Sequence, residues 1–281
     1  NGRRRQRQMC IRDSYQPEPF LSGRGARIFR GEKGKILTTR FGKFVFTSHG
    51  QLATTLGRNF IPILAHYKSE DYLPTIKVKN AIVLNSEHLD SNYFHLLTEY
   101  IPVFEHLLKS NFNLSEFVIP LFLRGKKHPP KFVFEFFKLY GIPSRNIIFN
   151  EKPFILNADL IYSGITLLAK SRACFKQFSN RVLEGKVDGE KNTKLVICRE
   201  NCGRTILNFQ EFFPNFRRVF LERLSIREQA KLFNGSDEIV AAHGAGLTNL
   251  IFCQPGTVVT EFRTPQIANR KAYKRLAQSF K

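Results

Sequence analysis

Tryptophan is absent from this chain of 281 residues, and methionine occurs once, so bulky apolar volume has to come from elsewhere. It comes from 28 phenylalanines, with 8 tyrosines beside them. Acids are also scarce, with 23 Asp and Glu against 44 Lys and Arg, a formal charge of +21. That deficit points to an anionic partner: nucleic acid, an anionic membrane or a phosphorylated substrate. The plainer reading is a basic surface with no single partner. No RNA- or DNA-binding motif accompanies the charge, so nucleic acid is not the expected partner. No apolar run reaches the roughly eighteen residues that a membrane-spanning helix needs, and no signal peptide is visible. The five cysteines (Cys10, Cys174, Cys198, Cys202, Cys253) are scattered and form no Cys-x-x-Cys pair. Reduced, buried thiols are the expected state, which favours a cytoplasmic location.

Metal-ligand patterns are missing too. The six aspartates (Asp13, Asp71, Asp90, Asp159, Asp188, Asp237) form no Asp-x-Asp. The seven histidines show no His-x-x-x-His or His-Glu-x-x-His spacing. No metal and no cofactor are expected.

What is present is clearest at 238–262. Glu238 to Ala242 is a short apolar run suited to a buried parallel strand. His243-Gly244-Ala245-Gly246 is a small, flexible turn, and Leu247, Leu250 and Ile251 follow at helical spacing. Pro255-Gly256 stops that helix, and Thr257–Phe262 reads as another strand. Such a turn aims backbone N–H groups and a helix N-terminus at one spot, where phosphate binds well. A ligand-free strand-to-helix turn has the same pattern.

Upstream, Ser91–Ser110 reads as an amphipathic helix: Phe94, Leu97, Ile101, Phe104 and Leu108 recur at three- and four-residue steps. Asp90, Ser91 and Asn92 offer the N-cap, and Pro102 predicts a kink. His95 and Glu99, at i and i+4, share one face, either as a solvent-facing pair or as acid–base machinery. Further strands are expected at Lys43–Thr47, Ala81–Leu84, Phe117–Ile119, Asn146–Phe149 and Asp159–Tyr162, and helices at Pro130–Tyr140 and Ala173–Leu183. Beyond 193 the alternation is regular, with strands at Lys194–Cys198 and Arg218–Leu221 and a helix near Thr205–Phe213. A capping box at Ser225–Glu228 opens a helix to Phe233. Strands linked by helices predict a parallel sheet covered on both faces. Arg199 and Arg204 fall at the carboxyl end of a strand, where such sheets bind ligands, and a guanidinium fork suits a diphosphate.

The expected organisation is a non-native basic stretch at 1–14, an N-terminal domain at 15–184, a linker at 185–192 and a C-terminal domain at 193–281. The last residues stop inside a helical pattern (Tyr273, Leu276, Ala277), which reads as a truncated C-terminal end.

Three stretches together resemble glycosyltransferase family 61. They are Asn92-Tyr93-Phe94-His95 through Glu99 and Pro102, Leu195–Asn208 with Arg199, Arg204 and Glu211, and His243–Asn249 with Pro255-Gly256-Thr257 and Glu261. The resemblance covers roughly 80–277. One departure is Leu96, where family members often carry an aromatic. The resemblance implies an α/β protein of GT-B type, with two Rossmann-like domains facing across a cleft. It implies an inverting glycosyltransferase using a nucleotide-sugar, expected to be UDP-linked, and a glycan or lipid-linked acceptor. The missing Asp-x-Asp and the two arginines predict metal independence, and the Lys-, Asn- and Phe-rich composition with reduced cysteines suits a bacterial enzyme of surface polysaccharide synthesis. The donor falls to Arg199, Arg204, His243, Gly244, Ala245, Gly246, Thr248, Asn249 and Glu261, with Glu261 on the ribose by analogy with dinucleotide folds. The acceptor side falls to Asn92 and Tyr93. Glu99 is favoured as the base with His95 as its partner, although either can take the proton. The implied location is cytoplasmic with peripheral contact to an anionic membrane, or a Golgi or ER lumen for a eukaryotic fragment. The rival readings are a non-catalytic nucleotide-sugar-binding module, a Rossmann dehydrogenase that lacks its Gly-x-Gly-x-x-Gly, and a basic RNA-binding protein.

Overall fold

A computed structural model describes residues 21–22, 26–39, 42–46, 73–84, 92–123, 127–166, 170–184, 193–200, 206 and 208–278. The basic stretch at 1–14, the linker at 185–192 and Arg204 lie outside the described residues. In chain order the elements are β1 (Leu21–Ser22), β2 (Ala26–Thr39), β3 (Gly42–Phe46), β4 (Thr75–Leu84), α1 (Tyr93–Lys109), β5 (Ile119–Phe122), α2 (Lys131–Leu139), β6 (Ile147–Asn150), β7 (Phe154–Thr166) and α3 (Arg172–Leu183). The C-terminal half adds β8 (Thr193–Cys198), α4 (Phe209–Phe212), β9 (Arg217–Phe220), α5 (Ile226–Asn234), β10 (Ser236–Ala242), a 3-10 helix (Ala245–Phe252), β11 (Val258–Phe262) and α6 (Ala272–Gln278).

The N-terminal half is only partly the expected Rossmann-like pattern. Strands β4 and β7 pair in parallel, as do β5 and β6. A parallel bridge from Ala81 to Val118, beside β5, joins the two sets. The resulting order β6-β5-β4-β7 has α1 and α2 as its crossovers. The departure is β2, which runs antiparallel along nearly all of β7 and pairs with β1 and β3 on its other edge.

The C-terminal sheet is wholly parallel, in the order β11-β10-β8-β9. Its side chains alternate as the pleat requires. Leu195, Ile197, Ile239 and Ala241 face the main core, whereas Val196, Cys198 and Val240 face a small cluster with Phe209, Phe213 and Phe216.

The helix α1 begins where the sequence places it. Asn92 accepts a hydrogen bond from the Phe94 amide and caps the first turn, and helical structure continues through Pro102. Leu96, Leu97, Tyr100, Ile101, Val103, Phe104 and Leu107 are buried on its inner face. Gly164 in β7 lets the helix lie close to the sheet, because a Cβ there would come within 2.5 Å of Val103. In place of tryptophan, the core stacks Tyr100, Phe104, Phe136, Phe137, Tyr140 and Phe178 at 4.9–6.2 Å between ring centres. Each such buried side chain contributes roughly 1.5–3 kcal/mol. The same cluster runs on without a break into Leu195, Phe233, Leu250 and Phe252 of the C-terminal half. One buried charge sits in it: Glu105, raised by desolvation, accepts from Tyr140 Oη at 2.9 Å and pairs with Arg181 at 3.0 Å.

Cys174, Cys198 and Cys253 are free thiols, as expected; Cys10 and Cys202 lie outside the described residues. Desolvation pushes Cys174 up to about 11 and Cys253 to about 12, so both stay protonated at neutral pH. No helix among the described residues is long and apolar enough to cross a membrane.

Candidate active site in a cleft between two sheets

In each half the strand order reverses between two parallel strands, and ligands of α/β sheets collect outside the carboxyl ends at that point. In the C-terminal half the reversal falls between β8 and β10. Arg199 follows β8 and His243 follows β10, so two residues 44 positions apart in sequence meet at one spot. The first turns of α1 and α2 form the facing wall. Between the walls lies a cleft of about 900 Å³, lined by Asn92–His95 and Pro130–Phe132 on one side and by Arg199, His243–Leu247 and Tyr273 on the other.

Arg199 crosses the Gly-rich turn. A Cβ on Gly244 would stand 3.0 Å from its Nη1, so glycine there makes room for the guanidinium. That Nη1 is buried with no hydrogen-bond partner among the described residues, and Nε lies 3.8 Å from Glu222. A guanidinium with an unused donor in a cleft is suited to a diphosphate oxygen. The segment after the turn is helical, as the spacing predicts, but of the 3-10 type.

His95 lines the cleft, and its Nδ1 is 2.6 Å from Oε1 of Glu99. Glu99 is one turn further along α1 and is not among the lining residues. The carboxylate fixes the ring with its proton on Nδ1, which makes Nε2 the basic nitrogen. A second pair mirrors this one: His243 Nδ1 is 2.6 Å from Oε1 of Glu261, whose other oxygen is held by Arg263. Glu261, the residue expected on the ribose, is thus held by His243 and Arg263. It is 11% exposed and stands behind His243, away from the cleft lining.

Four further expected site residues also make contacts within the protein. Thr248 is buried and donates to the Ala245 carbonyl at 2.6 Å. Asn249 is buried, donating to Gln229 and to the Gly246 carbonyl and accepting from Tyr93 Oη at 2.8 Å. Tyr93 lines the cleft, but its hydroxyl is committed to Asn249 across the two halves, and burial raises its ionisation out of the usual range. Asn92 is the helix cap and also borders the cleft. Ala245 and Gly246 border it at the start of the 3-10 helix.

Sequence reading missed Tyr273, whose ring lies 5.1 Å from that of His243 and 5.4 Å from that of Phe94, so it joins the two walls. It also missed Arg263 and the cations Lys131, Arg223, Arg270, Lys271 and Arg275 that border the cleft. Among the described residues, no group of three or more His, Cys, Asp and Glu could hold a metal ion.

An α/β protein with parallel strand ends, an acid–histidine pair and an open arginine facing one cleft has the makings of a group-transfer enzyme on a phosphorylated substrate. The sequence model of the family described as Glycosyltransferase 61 matches residues 59–260, more than half of the chain. The chain belongs to glycosyltransferase family 61 and is a glycosyltransferase. No curated protein matches it.

Proposed function

We propose that the chain is an inverting, metal-independent glycosyltransferase of GT-B arrangement. It takes a sugar from a nucleotide-sugar, UDP-linked, to a hydroxyl of a glycan or lipid-linked acceptor. Surface polysaccharide assembly is the setting, in the cytoplasm with peripheral contact to an anionic membrane. The observation that carries the reading is the opposition of His95, backed by Glu99, to Arg199, set over Gly244, across one cleft.

In this mechanism the acceptor hydroxyl gives its proton to His95 Nε2 as its oxygen attacks the sugar C1. The C1–O bond to the diphosphate breaks, and its electron pair leaves with the diphosphate. A single displacement inverts the anomeric carbon. Arg199 and the amides at the start of the 3-10 helix receive the departing charge, the role a cation fills in other transferases. His243, held by Glu261, lies on the same wall. The sequence favours Glu99 as base; the position of His95 on the lining supports the opposite assignment, with Glu99 as the positioning residue.

The test is transfer by the purified chain across a panel of nucleotide-sugars, with the anomeric configuration of the product read by NMR. An inverted product formed equally well in EDTA is expected. Retention of configuration would sink the single displacement. Activity abolished by EDTA and restored by manganese would sink metal independence.

A further inference from the structure

Two acids line the cleft among the described residues, Glu135 and Glu222. Glu135 is committed: its Oε2 accepts from the Ile226 amide at 3.1 Å, and Lys131 lies 3.6 Å from its Oε1. Glu222 stands on the wall of Arg199, two residues past the carboxyl end of β9, in a 3-10 turn over Leu221–Arg223. Its side chain is 42% exposed and lies 3.8 Å from Arg199 Nε, too far for a hydrogen bond. An ion pair this open contributes little, so holding Arg199 does not account for the acid.

The turn that carries Glu222 is fixed in place. Gln229 Nε2 donates to the carbonyls of Leu221 and Leu224, at 3.1 and 3.0 Å. Gly246 lets Leu221 close on the Gly-rich turn, because a Cβ there would come within 2.8 Å of Leu221 Cδ1. The carboxylate is thereby held beside Arg199, whose guanidinium lies over Gly244.

An ionised carboxylate only accepts hydrogen bonds, and it repels phosphate. Beside a diphosphate site, its use is to a neutral part of the nucleotide that donates. The topology says which part. In the order β11-β10-β8-β9, β8 is the first strand of this half and β9 the second, on the side of β8 away from the reversal. In dinucleotide-binding folds the acid that holds the ribose hydroxyls follows the second strand, and the phosphates sit at the reversal. Glu222 occupies that post. Glu261 follows β11 at the far edge of the sheet and is held by His243 and Arg263.

We propose that Glu222 accepts hydrogen bonds from the ribose hydroxyls of the nucleotide-sugar, and so selects ribonucleotide over deoxyribonucleotide donors. The inference rests on the donor reading above, with Arg199 at the diphosphate.

The test is calorimetry of UDP and of 2′,3′-dideoxy-UDP, with the parent chain and with Glu222→Ala, whose fold is verified by circular dichroism. The parent should bind UDP about tenfold or more tightly than the dideoxy analogue, as expected when hydrogen bonds to a charged group are lost. In Glu222→Ala that preference should fall to near one, through weaker binding of UDP and not of the analogue. A parent chain that does not distinguish the two nucleotides would overturn the proposal. So would a variant that keeps the preference: an equal loss of both nucleotides would mean that Glu222 only orients Arg199 or meets the base, and no loss of either would move it to the transferred sugar. Failure of the parent to bind either nucleotide is a different result, and it would sink the donor reading and this assignment with it.

Discussion

Two histidine–glutamate pairs face each other across this cleft, joined by the same 2.6 Å Nδ1–Oε1 hydrogen bond, and their surroundings differ. His95 and Glu99 are 28% and 24% exposed on a helix surface; His243 and Glu261 are 8% and 11% exposed, and Arg263 holds the far side of Glu261. The open pair presents His95 to the cleft. The closed pair is clamped between a strand end and an arginine, with Tyr273 over the ring. In the mechanism we propose, the same geometry has two uses, proton transfer at the open pair and a rigid wall at the closed one, and exposure is what distinguishes them.

The largest effect expected from breaking this comparison is on the open pair. His95→Ala should reduce turnover by about 10²–10⁴-fold with UDP affinity retained. Glu99→Gln should reduce it by less, because the ring survives while its orientation is weakened. Steady-state kinetics beside UDP calorimetry check both; if Glu99→Gln is the more damaging, the base assignment reverses.

Next comes the closed pair. Glu261→Gln should cost about 1.5–3 kcal/mol of stability through loss of a charged hydrogen bond to a buried ring. Glu99→Gln should cost less than about 1 kcal/mol, as exposed ion pairs do. Urea unfolding of both variants sharpens the contrast, and equal losses would erase it.

Arg199→Ala should weaken UDP by roughly 1.5–3 kcal/mol, the range for a hydrogen bond to a charged group. Gly244→Ala should weaken it by less, because the added methyl displaces the flexible end of Arg199 instead of removing it. Titration calorimetry measures both.

A further modest effect lies away from the cleft. Ser225 and Glu228 form a capping box on α5, and the serine holds the Glu228 carboxyl below its ordinary value. A lowered carboxyl contributes stability above its unfolded value and loses it as pH falls through the folded one. Ser225→Ala should cost about 1 kcal/mol at neutral pH. The difference from the parent chain should shrink under acid, as read by urea midpoints across a pH series.

Local signals in the sequence carried much of this architecture. Asp90, Ser91 and Asn92 offered the cap of α1, which Asn92 takes, the serine–glutamate spacing marked α5, and the apolar run at 238–242 marked β10. Distant pairing was harder to read. Gly31 and Gly34, residues common in turns, lie inside β2, where pairing with β7, more than a hundred residues away, decides the conformation. The helix expected at Thr205–Phe213 is confirmed only as Phe209–Phe212. In the site, His95 and Glu99 were legible because a helix brings i and i+4 together. His243 and Glu261 meet through the parallel register of β10 and β11, which sets Ala241 against Glu261. Their partnership was concealed until strand order was known. The bonds that Thr248 and Asn249 make to the carbonyls of Ala245 and Gly246 are likewise invisible in the sequence, because they depend on which way each side chain faces.

The unbroken hydrophobic cluster has a consequence for how this protein is made. It draws on residues from Ala26 to Leu276, so neither half completes its core alone. A nascent chain that has emerged as far as α3 would still lack Phe252, which packs against Phe178. Burial of that surface must wait until the C-terminal half has emerged, and until then this phenylalanine-rich face is open to chaperones and to aggregation.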